Sequence, residues 1–172
     1  MNKKKLNYRV TYLEMNRKPS FDWPKNLKHK LSILLAESFP AWYFLFFYKQ
    51  VGKNYYWTDW LRKSEDEIDE FVNDKNVLLY TLIKDGWPVG FYMLDYRKKD
   101  ICDLSFFGLV DEVIGVGLGK YLLQTAILTA WDSKKIKKLT VNTCSLDHKS
   151  AIYLYQKYGF TPVKYKDLEK TV

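Results

Sequence analysis

Hydrophobic and polar positions follow two different patterns along this chain. Runs rich in β-branched and aromatic residues, typical of strands, alternate with segments whose apolar residues recur every three or four positions, typical of helices. The predicted strands cover residues 7–15, 77–84, 87–96, 101–110, 138–144 and 160–165. The predicted helices cover residues 41–51, 65–74, 115–131 and 148–158. Residues 31–36 are too few for periodicity to distinguish a strand from a helical turn.

Turn and cap residues set several of these boundaries. Asp85-Gly86 joins two strand-like runs, and Asp-Gly in that position is a strong signal for a hairpin. Ser64 precedes an acidic amphipathic stretch and is predicted to be the N-cap of a helix. Three meandering strands are followed by a helix, a strand, a helix and a final strand. This order predicts an α+β fold with a mixed central sheet of about six or seven strands, flanked by helices.

Length and composition narrow the class of protein. The 172 residues are 47% hydrophobic and contain no repeat or Gly/Ser linker, so we expect a single domain over 1–172. No apolar run approaches the roughly 18–20 residues that cross a bilayer, and the basic start leads into a polar alternating stretch rather than a signal peptide. Two cysteines, Cys102 and Cys144, form neither a disulfide framework nor a zinc pattern. We therefore expect a cytoplasmic protein with no membrane partner and no metal.

The net charge of +8 is concentrated at one end of the chain. Residues 1–30 carry +7 of it, because nine basic residues there face only Glu14 and Asp22. The nine are Lys3, Lys4, Lys5, Arg9, Arg17, Lys18, Lys25, Lys28 and Lys30. A basic arm of this kind can bind polyanions, although most such segments are simply solvated. Nucleic-acid binding is therefore kept only as an alternative function.

A glycine-rich stretch, residues 114–120 (IGVGLGK), lies between a predicted strand and a predicted helix. Glycines at a helix start let backbone N–H groups converge on an anion. The spacing does not fit a P-loop, because Gly119-Lys120 is followed by Tyr121 rather than Ser or Thr. It does not fit a dinucleotide-binding fingerprint either, because Lys120 stands where glycine is required. A glycine-rich turn without a ligand is the alternative for the loop alone.

A second motif, residues 147–160 (DHKSAIYLYQKYGF), follows about thirty residues later. Together the two stretches resemble the GNAT superfamily of acetyl-CoA-dependent N-acyltransferases. The loop is similar to that family's R/Q-x-x-G-x-G/A motif at Ile114, Gly117 and Gly119. The later stretch is similar to its A-x-x-L-Y-x-x-x-G-F motif at Ala151, Leu154, Tyr155, Gly159 and Phe160. The resemblance covers residues 77–165, a cofactor-binding core, and leaves residues 1–76 as an acceptor-side portion.

This resemblance implies a GNAT-like sheet in which two neighbouring parallel strands splay apart and hold acetyl-CoA between them. The pantetheine arm would hydrogen-bond to the backbone around Phe107 and Leu109, and the pyrophosphate would lie at 115–120. The residues implied at the cofactor are Phe107, Leu109, Ile114, Gly115, Val116, Gly117, Leu118, Gly119, Lys120 and His148. Ile114 stands where the family usually has Arg or Gln, so one polar side-chain contribution is missing from the loop.

The resemblance also implies two catalytic residues. Tyr155 aligns with the family's general acid, and a phenol with a pKa of ~10 suits a thiolate leaving group. Asp103 aligns with a strand carboxylate that acts as base in some members. Strand alternation predicts that Asp103 shares a face with Ser105, Phe107 and Leu109. An Asp with the ordinary pKa of ~3.9 is a poor base, so it would need burial or a bridging water.

The predicted function is therefore transfer of an acetyl group from acetyl-CoA to a primary amine of a small molecule or peptide, by direct attack in a ternary complex. A non-catalytic CoA-binding or sensor protein on the same fold is the alternative. Trp57, Trp60 and the acidic residues 65–74 would favour a cationic acceptor if they line the site, and otherwise form a packed aromatic loop and a solvated helix face. The acceptor, the acyl length and the oligomeric state, a homodimer included, stay open.

Overall fold

Seven strands form one mixed sheet in the computed structural model, which describes residues 5–25 and 30–171. The strands are β1 (Lys5–Met15), β2 (Leu31–Ala36), β3 (Val77–Lys84), β4 (Trp87–Asp95), β5 (Ile101–Leu109), β6 (Lys138–Cys144) and β7 (Thr161–Thr171). The helices are α1 (Ala41–Gly52), α2 (Glu65–Val72), α3 (Leu118–Ser133) and α4 (Ala151–Lys157). The strand order is β2-β3-β4-β5-β6-β1-β7. The predicted fold class is confirmed.

Local sequence signals account for most of these elements. The turn at Asp85-Gly86 has φ of 51° and 92°, the left-handed conformation that a two-residue hairpin requires. Ser64 caps α2 in a capping box, accepting from the Glu67 N–H while the Glu67 carboxylate accepts from the Ser64 N–H. Residues 31–36, which periodicity left undecided, form a strand because they pair with β3. The last strand extends to Thr171, beyond the predicted 165, because it pairs along β1.

Two apolar cores lie on opposite faces of the sheet. On one face, α3 and α4 pack against side chains such as Tyr92, Leu94 and Leu139. On the other, α1 and α2 pack against Phe91 and Met93. Because successive side chains of a strand point to opposite faces, β4 contributes to both cores in alternation.

The strands β5 and β6 run parallel but pair over a short distance. Their register consists of Ile101–Lys138, Cys102–Leu139 and Asp103–Thr140. Pairing ends there, while β5 stays paired with β4 as far as Leu109. The two strands therefore separate after Asp103, consistent with the splayed pair that the resemblance implied, and we call this separation the fork.

A β-bulge in β5 changes which residues share a face. Met93 pairs with Phe106 and Leu94 with Leu104, so Ser105 is the extra residue. The prediction that Asp103, Phe107 and Leu109 share a face is wrong for this reason. Asp103 lies on the α1/α2 face, whereas Phe107 packs with the core on the α3/α4 face.

Two of the basic N-terminal residues, Lys5 and Arg9, belong to β1 of the sheet. β1 is paired on both sides, with β6 and β7. Lys5 pairs with Glu169 at 2.8 Å, Arg9 with Asp167 at 2.7 Å, and Lys18 with Asp132. Lys3, Lys4 and Lys28 lie outside the described residues. These ion pairs offset part of the charge on which a nucleic-acid-binding arm would depend.

Within residues 5–25 and 30–171, no helix combines the length and the apolar character that crossing a membrane requires.

Candidate active site

A cavity of about 420 Å³ opens at the fork. The end of β5, the glycine loop before α3, the end of β6 and the start of α4 all contribute to its wall. Nine predicted site residues line it: Phe107, Leu109, Ile114, Gly115, Gly117, Gly119, Lys120, His148 and Tyr155. Val116 and Leu118 do not, since Val116 is exposed to solvent and Leu118 is only 3% exposed within the core. The structure thus brings most of the implied residues into one cavity, which we call the fork cavity.

The glycine loop has the geometry of an anion site. Gly115 and Gly117 have φ of 89° and 87°, and Gly117 is the N-cap of α3. The first N–H groups of a helix have no acceptor within it, and the helix dipole adds positive potential there. Gly119 also lines the cavity, and a Cβ at that position would make ordinary contacts, at 3.9 Å, with the side chains of Leu109 and Leu154. The loop can therefore hold a phosphate by its main chain, with Lys120 beside it.

Tyr155 is held rigidly inside the fork cavity. Its ring packs edge-on against Phe107 and Phe160, with centroids 6.0 and 5.8 Å away. The residue is 5% exposed, and burial, with a smaller contribution from the charge of Asp147, raises the pKa of its phenol well above the usual value. The phenol of Tyr155 therefore stays protonated at physiological pH.

Asp103 does not line the fork cavity. It lies in a second cavity of about 290 Å³ on the α1/α2 face, lined also by Tyr12, Glu14 and Asn142. The Thr140 hydroxyl donates to its Oδ1 at 2.5 Å, and the Ser105 hydroxyl donates to its Oδ2 at 2.9 Å. Burial raises the pKa of Asp103, although these hydroxyls and Lys98 oppose the shift. A raised pKa makes this carboxylate a better base near neutrality than an ordinary aspartate.

Asp147 lines the fork cavity, although the sequence analysis gave it no role there. Its carboxylate accepts hydrogen bonds from Trp57 Nε1 at 3.1 Å, Thr143 Oγ1 at 2.8 Å and the Cys144 N–H at 2.7 Å. The position of an acid directly after a strand hinted at this, but the partner Trp57 lies ninety residues earlier in the sequence. The bond to Trp57 attaches the connection between α1 and α2 to the end of β6.

The aromatic cluster of the N-terminal half divides between site and core. Tyr55 and Trp57 line the fork cavity, and Tyr55 contacts the ring of His148 edge-on with centroids 6.3 Å apart. Trp60 instead packs against Phe71, with centroids 4.5 Å apart. In α2 the apolar side chains are buried and the acidic ones lie on the outer face. Trp60 is therefore part of the packed core, and the acidic residues of α2 form a solvated helix face.

The cysteines offer no nucleophile. Burial raises the pKa of Cys144 to about 11, so its thiol stays protonated near neutral pH. Cys102 is fully buried in the core of the α3/α4 face. Among the described residues, no group of three or more His, Cys, Asp or Glu side chains could hold a metal ion.

Comparison with known proteins agrees with this geometry. A mixed sheet whose parallel pair separates beside a glycine-rich helix start is the arrangement that the resemblance to acyltransferases implied. The model of the acetyltransferase (GNAT) family matches residues 36–160. Because this match covers most of the chain, the protein belongs to the GNAT family. A search of curated proteins gave no match.

Solved structures show the same fold. A GNAT family acetyltransferase from Elizabethkingia anophelis with acetyl-CoA bound is 23% identical, with a TM-score of 0.58 over 80% of each chain. The IAA acetyltransferase from Bacillus cereus ATCC 14579 is 24% identical, with a TM-score of 0.54 over 77% of this chain and 79% of that one. A functionally unknown conserved protein from Staphylococcus epidermidis ATCC 12228 is 13% identical, with a TM-score of 0.65 over 96% of this chain. Our chain covers 62% of that protein's length.

Proposed function

We propose that this protein transfers an acetyl group from acetyl-CoA to a primary amine of a small molecule or peptide, by direct attack in a ternary complex. The observation that carries the proposal is the convergence, in one cavity at the fork, of an anion-binding helix start and a buried neutral tyrosine. The first could hold the CoA pyrophosphate, and the second could protonate its thiolate.

The backbone around the fork supplies the remaining binding groups. Beyond Asp103, β5 has left its β6 partner, so main-chain groups at Phe107 and Leu109 are available to the pantetheine arm. The main chain of 115–120 would hold the pyrophosphate, with Lys120 supplying positive charge in place of the Arg or Gln usual at Ile114. His148, at the cavity wall, is a further candidate for contact with the cofactor.

Three groups of the protein then have separate roles in the reaction. A backbone N–H of β5 polarises the thioester carbonyl and stabilises the negative charge that develops on its oxygen. Tyr155 donates its proton to the departing sulfur, and Asp103 takes up the proton of the attacking amine. An alkylammonium with a pKa of ~10.4 is only about one part in a thousand neutral at pH 7, so removal of this proton is required.

Calorimetry with acetyl-CoA and a turnover screen over amines test this function together. We expect binding of acetyl-CoA and CoA release with at least one amine. Heat without turnover on any amine would favour the non-catalytic CoA-binding alternative. Absence of both heat and thermal stabilisation would contradict the proposal altogether.

The Tyr155→Phe variant tests the acid. We expect kcat to fall about 100-fold, the size of a general-acid contribution, while the affinity for acetyl-CoA stays the same. Tyr153→Phe is the matched control, because Tyr153 lies on the same helix, 72% exposed, and does not line the fork cavity. Equal rates in the two variants would remove Tyr155 from the mechanism.

A further inference from the structure

Ser105 stands at the point where the sheet divides. It is the bulge residue of β5, so it has no opposite residue on β4. Asp103, which lies two residues before Ser105, is the last residue of β5 that pairs with β6. At this point the sheet has a gap between two strands, and Ser105 lies beside it.

Two cavities are adjacent to this gap. Ser105 lines the fork cavity, where the thioester would lie, and Asp103 lines the second cavity. Asn142 lines both. The hydroxyl of Ser105 donates to Asp103 Oδ2 at 2.9 Å, so one hydrogen bond joins a group in the fork cavity to a carboxylate that does not line it.

We propose that Ser105 relays the amine proton from the fork cavity to Asp103. The inference rests on the proposed function and assigns a further catalytic residue to it. Before the amine attacks, a proton of its ammonium form passes to Ser105 Oγ, and the Ser105 hydroxyl proton passes to Asp103 Oδ2. The amine nitrogen ends neutral, the serine hydroxyl is restored, and the carboxylate ends protonated. No other reactant is needed.

The surroundings of Asp103 suit it for receiving this proton. Three carboxylates face the second cavity, and two of them are paired with a cation: Asp95 with Arg97 at 2.7 Å, and Glu14 with Lys138 at 2.9 Å. The hydrogen-bond donors to Asp103 are instead the hydroxyls of Ser105 and Thr140. Lys98 acts on it only at longer range, and Asp95 opposes its ionisation. A carboxylate with this environment takes up a proton more readily than an ion-paired one.

Ser105→Ala and Thr140→Val form a matched pair for the test. Each removes one hydroxyl donor to the same carboxylate, but only Ser105 lines the fork cavity. The assay measures CoA release from acetyl-CoA with spermidine, tyramine and Nα-acetyl-lysine as probe amines, between pH 6 and 10. For Ser105→Ala we expect kcat/KM to fall about 100-fold at pH 7 and to recover as the pH approaches the amine pKa. For Thr140→Val we expect less than a fivefold change.

Two further variants separate a relay from a structural effect. Ser105→Thr keeps a hydroxyl and should be at least tenfold faster than Ser105→Ala, with the pH profile of the parent. The double variant Ser105→Ala/Asp103→Asn should be no slower than Asp103→Asn alone, because both act on one proton path. Equal losses in Ser105→Ala and Thr140→Val, a loss that does not recover at high pH, or additive losses would overturn the relay alone. Calorimetric binding of acetyl-CoA without turnover of any probe by the parent protein would overturn the proposed function, and the relay with it.

Discussion

At the scale of single residues, the partners of a carboxylate decide what it can do at the fork. Asp147 is saturated by an indole N–H, a hydroxyl and a backbone N–H, which suits a structural link. Asp111 accepts from Asn54 Nδ2 at 2.6 Å and pairs with Lys53 at 3.2 Å. Asp103 is buried with two hydroxyl donors and has a raised pKa. Of the three, Asp103 is therefore the one suited to exchange a proton.

The raised pKa of Asp103 makes a prediction about stability. Its pKa in the folded protein lies above the unfolded value of ~3.9, so the folded state binds the proton more tightly. As the pH rises from about 4 through the folded pKa, the carboxylate increasingly destabilises the fold, by about 1.4 kcal/mol for each unit of elevation. Asp103→Asn should therefore gain in free energy of unfolding relative to the parent over this pH range, as measured by urea denaturation.

The comparison variant for this experiment is Asp167→Asn. The hydrogen bond from Arg9 lowers the pKa of Asp167, so the effect of this substitution on stability must have the opposite sign. The parent gains stability from the Asp167 carboxylate as the pH rises, and the variant does not. Because Asp167 is exposed, that effect should be small. If the difference in free energy of unfolding between the parent and Asp103→Asn did not change with pH, the pKa of Asp103 in the folded protein would be ordinary.

At the scale of the element, two glycines at the start of α3 have different roles. Gly117 has a left-handed φ, but a Cβ there would meet nothing within 4 Å. Gly119 has an ordinary helical conformation, and a Cβ there would lie 3.9 Å from Leu109 and Leu154, which also line the fork cavity. The first glycine thus sets the backbone conformation, and the second is part of the cavity wall.

Alanine at these two positions should therefore have opposite effects. Gly117→Ala should lower the free energy of unfolding by about 1 kcal/mol, the cost of a left-handed residue with a Cβ. Gly119→Ala should leave the free protein as stable or up to about 1 kcal/mol more stable, because alanine favours a helix. Its added methyl group should nevertheless weaken acetyl-CoA binding about tenfold. Urea denaturation and calorimetry measure the two quantities, and unchanged affinity in Gly119→Ala would place the ligand elsewhere.

At the scale of the whole molecule, residues 53–60 connect parts of the sheet that are distant in sequence. Trp57 bonds to Asp147 after β6, and Asn54 bonds to Asp111 before α3. The Lys170 ammonium of β7 donates to the Tyr56 carbonyl at 2.9 Å and pairs with Asp59 at 3.0 Å. The segment therefore spans the fork cavity and is attached to both sides of it.

Trp57→Phe should loosen this attachment while keeping an aromatic ring against Tyr48 and Phe106. It removes the indole N–H that bonds to the Asp147 carboxylate, and a hydrogen bond to a charged group contributes about 1.5–3 kcal/mol. We expect faster hydrogen–deuterium exchange in 53–60 and about tenfold weaker acetyl-CoA binding. Trp42→Phe is the control, because Trp42 lies 66% exposed on α1. If the two variants behaved alike, the Trp57–Asp147 bond would have no role in the site.

Much of the fold followed from local sequence signals. The hairpin at Asp85-Gly86, the Ser64 cap and the strands from 77 to 109 depend on neighbouring residues, whose conformational preferences act over a few positions. The glycine loop and the motif around Tyr155 were also visible in the sequence, because each is a continuous stretch. Residues 31–36 were not decided, since only pairing with β3 makes them a strand.

The amino-acid sequence by itself thus determined most of the elements, their order along the chain and the candidate cofactor-binding residues. Only the tertiary structure decided how they face one another. The bulge at Ser105 moved Asp103 to the opposite face from Phe107, and no local pattern announces an extra residue in a strand. Likewise, Trp57 meets Asp147 because β6, α4 and the end of α1 converge. Contacts between residues far apart in sequence form when the core packs, so their chemistry cannot be read from either stretch alone.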